Sequence, residues 1–195
     1  MKKIILASTS PRRKELLEKT GLIFEVFPSN YEEDMTLDLI PPELAKFLSK
    51  GKAKDVAKNF SDAIIISADT FVSLDGKIIG KPHTEEKAKI TLKTLSGKTH
   101  SVFTGFTIID TKKDKTVSKA VETKVSFKEL SDEMIDDYIK NGNPLKYAGS
   151  YTLNDIADKF IEKIEGDPLN IIGFPIDTVM ETLKEFGIKK YEKLS

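Results

Sequence analysis

The chain has 195 residues, 39% of them hydrophobic and 32% charged, and its 31 basic side chains balance 31 acidic ones. That composition suits an ordinary folded protein with ample chain for a core, neither disordered nor membrane-like. Zero net charge argues against broad nucleic-acid binding, which needs a basic surplus; the absence of cysteine removes disulfides, thiol nucleophiles and zinc–thiolate sites.

Lys3–Ala7 reads as a buried strand, and the apolar run behind Met1 is too short for a signal peptide. Ser10 then stands as an N-cap with Pro11 in the first helical position, and the helix is expected to run to Thr20 and stop at Gly21. Ile23–Phe27 forms a second strand before the acidic loop Tyr31-Glu32-Glu33-Asp34. Across Glu43–Phe60, Leu44, Phe47, Leu48, Ala53 and Val56 recur at helical spacing, although Gly51 weakens the centre. Ala63–Ser67 is a continuous apolar run, the pattern of a strand covered on both faces, and Asp69-Thr70 follows it. Asp75-Gly76, between Phe71–Leu74 and Lys77–Ile79, signals a hairpin.

Thr84 caps a helix to Leu95, with Glu85 and Glu86 where the dipole favours anions. Two long strands, Ser101–Asp110 and Val117–Lys128, flank the lysine-rich turn Lys112–Lys115. Ser131 begins a helix that Gly142 ends, and a last helix runs from about Asp177 to Phe186 before Gly187. Strands interspersed with helices predict a mixed α/β sheet rather than a strictly parallel one. Nothing approaches the ~20 apolar residues of a membrane span. A cytoplasmic protein of one domain over residues 1–195, or of two closely joined lobes, is the expectation.

Arg12 and Arg13 are the only arginines in the chain and stand side by side in Ser8-Thr9-Ser10-Pro11-Arg12-Arg13; every other basic residue is lysine. Guanidinium offers a planar fork that matches phosphate or carboxylate, where lysine offers a point charge. Orphan N–H groups and the dipole at a helix start also favour an anion, and Ser8, Thr9 and Ser10 add donors. A solvated helix face is the plain alternative, outweighed by the cap, the proline and the preceding strand. Asp69, expected just past a buried strand at the carboxyl edge of the sheet, could hold a divalent cation or take a proton from water; the alternative is a turn-capping carboxylate.

Glu32, Glu33 and Asp34 could supply oxygens to magnesium, or form a solvated acidic loop. Lys52, Lys54 and Lys81 could neutralise polyphosphate, and Lys81, inside Gly80-Lys81-Pro82, is the most confined. His83 and His100 are isolated, lack metal-ligand spacing and read as structural or surface residues. Gly97-Lys98-Thr99 imitates the end of a phosphate-binding loop, but Leu92 stands where the earlier glycine is required.

These residues together resemble one family. Ser8-Thr9-Ser10-Pro11-Arg12-Arg13, Glu33, Lys52-Ala53-Lys54, Ser67-Ala68-Asp69-Thr70, Gly80-Lys81-Pro82, Leu95-Ser96-Gly97 and Ala148-Gly149-Ser150-Tyr151 follow the order seen in Maf proteins, from Ile4 to about Phe186. Those are nucleoside triphosphate pyrophosphatases, related in fold to inosine-triphosphate pyrophosphatases. The resemblance implies an elongated mixed sheet flanked by helices, in two lobes with a cleft between them. It implies hydrolysis between the α and β phosphates, with Mg²⁺ or Mn²⁺ as divalent cofactor. Asp69 would activate water, Glu33 and Asp69 would hold the metal, and Ser8, Arg13, Lys52 and Lys81 would engage phosphates.

Arg12 and Thr70 resemble the branch acting on dTTP and UTP, rather than the branch with Trp at the Arg12 position that prefers 7-methyl-GTP. Asn154 stands where that first branch usually carries Gln, and Tyr147 where Lys is usual. Asn has the same amide one methylene shorter, so it is expected to reach a different base edge. The implied partner is a nucleoside triphosphate, with no nucleic acid and no membrane, and the resemblance suggests a homodimer. A nucleotide-binding regulator of septum formation without turnover is the competing function.

Overall fold

A computed structural model describes residues 2–188. β1 (Lys3–Leu6) leads into α1 (Pro11–Glu18), β2 (Glu25–Val26), the long α2 (Pro41–Ala57) and then β3 (Ala63–Leu74). β4 (Lys77–Ile79), α3 (Glu85–Leu95), β5 (Thr99–Asp110), β6 (Lys115–Phe127) and α4 (Asp132–Asn141) come next. Two short 3-10 turns precede α5 (Leu153–Phe160), β7 (Ile161–Glu165), α6 (Pro168–Ile172) and α7 (Ile176–Lys184). Among the described residues a seven-stranded sheet runs β2-β1-β3-β5-β6-β7, with β4 paired to β3. β1 is parallel to β2 and β3, whereas β4 and β7 run antiparallel to β3 and β6, so the sheet is mixed as expected. No described helix is long and apolar enough to cross a membrane.

Local sequence explains most element boundaries. Thr84 accepts a hydrogen bond from Lys87 N at 3.2 Å and Ser131 one from Met134 N at 3.2 Å, the two caps expected for α3 and α4. Asp75 and Gly76 take φ of 49° and 79°, as a tight hairpin turn between β3 and β4 requires. Three expectations are corrected. The Ser10 side chain makes no capping bond; the Ser8 hydroxyl accepts from Ser10 N instead, at 3.2 Å. The second strand shrinks to two residues, because Ile23 is 85% exposed and has no apolar surface to cover it. The third strand does not end at Ser67: Phe71 and Val72 are buried like the isoleucines before them, so β3 continues to Leu74 and Asp69 lies inside it.

The described chain divides into two compact units, residues 2–69, 104–121 and 173–188 forming the first and residues 70–103 and 122–172 the second. The first has a core containing Ile5, Ala53, Val56, Ile65 and Ile109. Burying each of these isoleucines contributes about 1.5–3 kcal/mol. Within that unit α2 lies against the sheet at backbone contact. A Cβ on Gly105 would sit 2.0 Å from Ala45 O, where no atom fits. Beside that contact Ser67 Oγ donates to Ser49 O at 2.6 Å, and Ser49 Oγ donates to Lys46 O at 3.0 Å while pairing with Thr107 Oγ1 at 2.9 Å. These hydroxyl bonds fix the height and rotation of α2. Gly105→Ala is therefore expected to cost about 3 kcal/mol by overpacking, near the upper end for cores. A thermal melt should show a drop of roughly 6–12 °C, and an unchanged Tm would reject the close contact.

The second unit has its own core, including Val72, Leu92, Phe127, Tyr151 and Phe160. His100 sits in it, 2% exposed, with Nε2 at 2.7 Å from the Tyr151 hydroxyl and the Phe127 ring edge-on at 4.8 Å. Burial pushes its pKa down to about 4, so it stays neutral at ordinary pH and serves as a packed core residue. His83 is exposed. Both agree with the structural or surface reading.

Candidate active site

The turn from β1 into α1 carries the first half of the site. Ile5, Leu6 and Ala7 are anchored in the core, which fixes the backbone up to Ser8. Ser8 is buried, and its Oγ accepts from Arg13 Nη1 at 3.3 Å. Arg13 Nε donates to Gly173 O at 2.9 Å. Gly173 lies between α6 and α7 with φ of 99°, a backbone state that side-chain-bearing residues avoid, and this aims its carbonyl. Two bonds therefore set the plane of the Arg13 fork. Burial lowers the pKa of that guanidinium from its ordinary value, Asp69 works against the shift, Arg12 reinforces it and Glu33 opposes it.

The other half comes from α2, β3 and the loop before α2. Lys52 Nζ forms an ion pair with Asp69 Oδ1 and reaches Glu33 Oε1 at 2.7 Å. Asp69 is only 4% exposed, whereas the Glu33 side chain is 41% exposed. A carboxylate this deep needs a charged partner, and Lys52 supplies it. The cluster thus sets Arg12, Arg13 and Lys52 against Glu33 and Asp69, three positive charges to two negative. Such a balance suits a polyanion.

Glu33 and Asp69 also decide what a metal would meet. Both oxygens converge on one ammonium, so a small cation could replace or join it there. Among the described residues no group of three or more His, Cys, Asp or Glu side chains could hold an ion. Two hard carboxylate donors fit Mg²⁺ or Mn²⁺ provided water and substrate oxygens complete the shell, the usual habit of magnesium.

The first unit therefore brings together Ser8, Arg13, Glu33, Lys52 and Asp69, with Arg12 contributing charge. It does not use the whole acidic loop: Asp34 accepts from Thr36 N at 2.9 Å and from Thr36 Oγ1 at 2.6 Å, closing a local turn. Lys54 is exposed. Thr70, Lys81 and Asn154 belong to the second unit. Thr70 follows Asp69 in β3, half-buried; Lys81 is exposed after β4, and Asn154 is exposed as the second residue of α5. There Gly149 N donates to Gly80 O at 3.1 Å, tying the loop of Lys81 to the turn that leads toward α5.

Sequence reasoning missed three contributors. Gly173 supplies the Arg13 acceptor, and only its place in Gly173-Phe174-Pro175 hinted at a special turn. Asp55 accepts from Asn30 N at 2.9 Å and from Ser29 Oγ at 3.0 Å, holding the loop of Glu33 onto α2. Tyr31 lies against Gly51, the helix glycine noted only as a weakness.

The chain is similar to known proteins along nearly its whole length. The "Maf-like protein" family pattern matches residues 3–186. A Bacillus cereus dTTP/UTP pyrophosphatase is 47% identical over 188 residues, 96% of this chain and 92% of that protein. Proteins of the same name from Bacillus thuringiensis subsp. konkukian and Bacillus anthracis are 46% and 45% identical, each over 96% of this chain and 97% of theirs. Among solved structures, the Staphylococcus aureus Ham1 protein aligns with a TM-score of 0.48 at 13% identity, covering 65% of this chain and 72% of that one. With the family pattern spanning nearly all of it and relatives so similar along their length, the chain belongs to the Maf-like family.

Proposed function

We propose that the chain hydrolyses the α–β phosphoanhydride of nucleoside triphosphates, releasing a nucleoside monophosphate and pyrophosphate, with dTTP, UTP or modified pyrimidine triphosphates as substrates in nucleotide-pool cleaning. The observation that carries this reading is the Lys52 bridge between Glu33 and the buried Asp69, beside an Arg13 fork held by Ser8 and Gly173. The names of the Bacillus relatives support the same reaction. In it, Asp69 accepts the proton of a water whose oxygen attacks the α phosphorus. The bridging P–O bond breaks, and its electron pair leaves with pyrophosphate.

Arg13, Lys52 and Lys81 offset the charge that builds on the leaving group, and the Ser8 hydroxyl orients the guanidinium. Glu33 and Asp69 would hold a divalent ion, Mg²⁺ or Mn²⁺, which supplies further charge neutralisation at the phosphates. Arg12, Thr70 and Asn154 are assigned to base recognition. The setting we propose is the cytoplasm, with the chain as a homodimer.

Incubation with dTTP, UTP, CTP, ITP and 7-methyl-GTP in the presence of Mg²⁺ tests the reading. Pyrophosphate, not orthophosphate, is the expected product, and the pyrimidine triphosphates are expected to be preferred by about 100-fold, or about 3 kcal/mol of discrimination. Release of orthophosphate alone would reject the bond assignment. Tight nucleotide binding without any release would replace the enzyme by the non-catalytic regulator.

A further inference from the structure

Glycine is a poor residue for a helix interior, yet Gly51 occupies the middle of α2, one position before Lys52. The loop in front of that helix accounts for it. A Cβ on Gly51 would fall 2.3 Å from Tyr31 Cζ and 2.5 and 2.6 Å from the two Cε atoms, so the phenol ring lies directly on bare helix backbone. One helical turn further on, Asp55 accepts from Asn30 N and Ser29 Oγ, and Ser29 Oγ accepts from Tyr31 N at 3.1 Å. Residues 51 and 55 share a helix face, so the loop is fastened to α2 at two successive turns. Two residues beyond Tyr31, Glu33 reaches Lys52.

We infer that Tyr31 is a positioning residue, whose ring seated on Gly51 sets the loop over α2 so that Glu33 reaches Lys52, the partner it shares with Asp69. Glu33 stands outside any helix or strand and is partly exposed, so its reach into the site depends on where its loop is fastened. Errors of about 1 Å in such placement are enough to impair a metal or phosphate site. The inference rests on the proposed role of Glu33 toward a divalent ion.

Gly51→Ala separates positioning from mere stability. Alanine favours the helix, so Tm should stay level or rise, while the new methyl drives the Tyr31 ring off its seat. Amide exchange at Asn30 and Tyr31 is expected to quicken by about tenfold. Mn²⁺ affinity, measured by calorimetry on the protein saturated with a non-hydrolysable nucleotide, should weaken by about tenfold, as when a group supporting a ligand is lost. Tyr31→Ala should do the same, Tyr31→Phe should retain wild-type exchange and affinity, and Gly51→Ala combined with Tyr31→Ala should be no worse than Tyr31→Ala alone. Wild-type exchange in Gly51→Ala overturns the inference. Faster exchange with unchanged Mn²⁺ affinity overturns it too, because the loop would then be fastened without serving Glu33. A wild-type chain that releases no pyrophosphate defeats the functional reading instead, and amide exchange still decides whether the ring fastens the loop.

Discussion

Asp69→Asn is expected to lower pyrophosphate release by about 10²–10⁴-fold, the range of a lost general base, while nucleotide binding holds or tightens. The asparagine is isosteric, so β3 keeps its buried position at 69, and the strand residues Ala68 and Phe71 remain packed. What changes is charge and basicity. The amide cannot accept a proton from water, and it no longer opposes the positive field of Arg12, Arg13 and Lys52. From the side chains alone, a triphosphate would therefore meet a more positive cluster. The measurement is kcat from pyrophosphate release beside Kd from calorimetry with a non-hydrolysable nucleotide. Turnover within threefold of wild type would remove Asp69 from the base role. Binding lost in parallel with turnover would mean that Asp69 serves the cluster chiefly as a metal ligand, since a fall in affinity tracks ground-state contacts rather than the transition state.

The same residue shows what a sequence can and cannot disclose. Helix starts at Thr84 and Ser131 are legible because their capping bonds span three residues. The hairpin at Asp75-Gly76 is legible because its backbone demand falls on two adjacent positions. The length of β3 is not, since a charged side chain interrupts the apolar run at Asp69. The strand tolerates it because Lys52 and Arg13, on different elements, bring positive charge to it. Nothing in the neighbourhood of Asp69 in the sequence announces those partners.

Distance along the chain explains the remaining omissions. Arg13 and Gly173 are 160 residues apart, and a backbone carbonyl leaves no signature in a motif. Gly51 and Tyr31 belong to a helix and a loop, and the glycine is a liability until the ring that covers it is placed. The candidate side chains themselves are legible as types: guanidinium beside a helix start, a carboxylate just past a buried run, lysine on a helix. Their convergence in the first unit needs the core that anchors β1, α2 and β3, which is a long-range property.

Arg13→Lys is expected to reduce kcat/KM by about 10²–10³-fold, or about 2.7–4 kcal/mol, although the charge is kept. An ammonium is a point donor. It cannot hold Gly173 O and Ser8 Oγ while presenting a fixed plane toward phosphate, as the guanidinium can. The shorter reach of lysine also withdraws charge from the field shared with Asp69 and Glu33. Burial already disfavours a cation here, and guanidinium, with the higher intrinsic pKa, withstands that better than ammonium. Lysine at 13 is therefore expected to lose function further as pH rises, where the wild type stays charged throughout. Ser8→Ala, which removes one orienting bond and leaves the charge, should cost about tenfold or less. Steady-state kinetics of all three proteins between pH 6 and about 10, near the ordinary lysine pKa, make the comparison. An Arg13→Lys enzyme within threefold of wild type across that range would show that position 13 needs charge alone, and the fork held by Ser8 and Gly173 would have no part in the reaction.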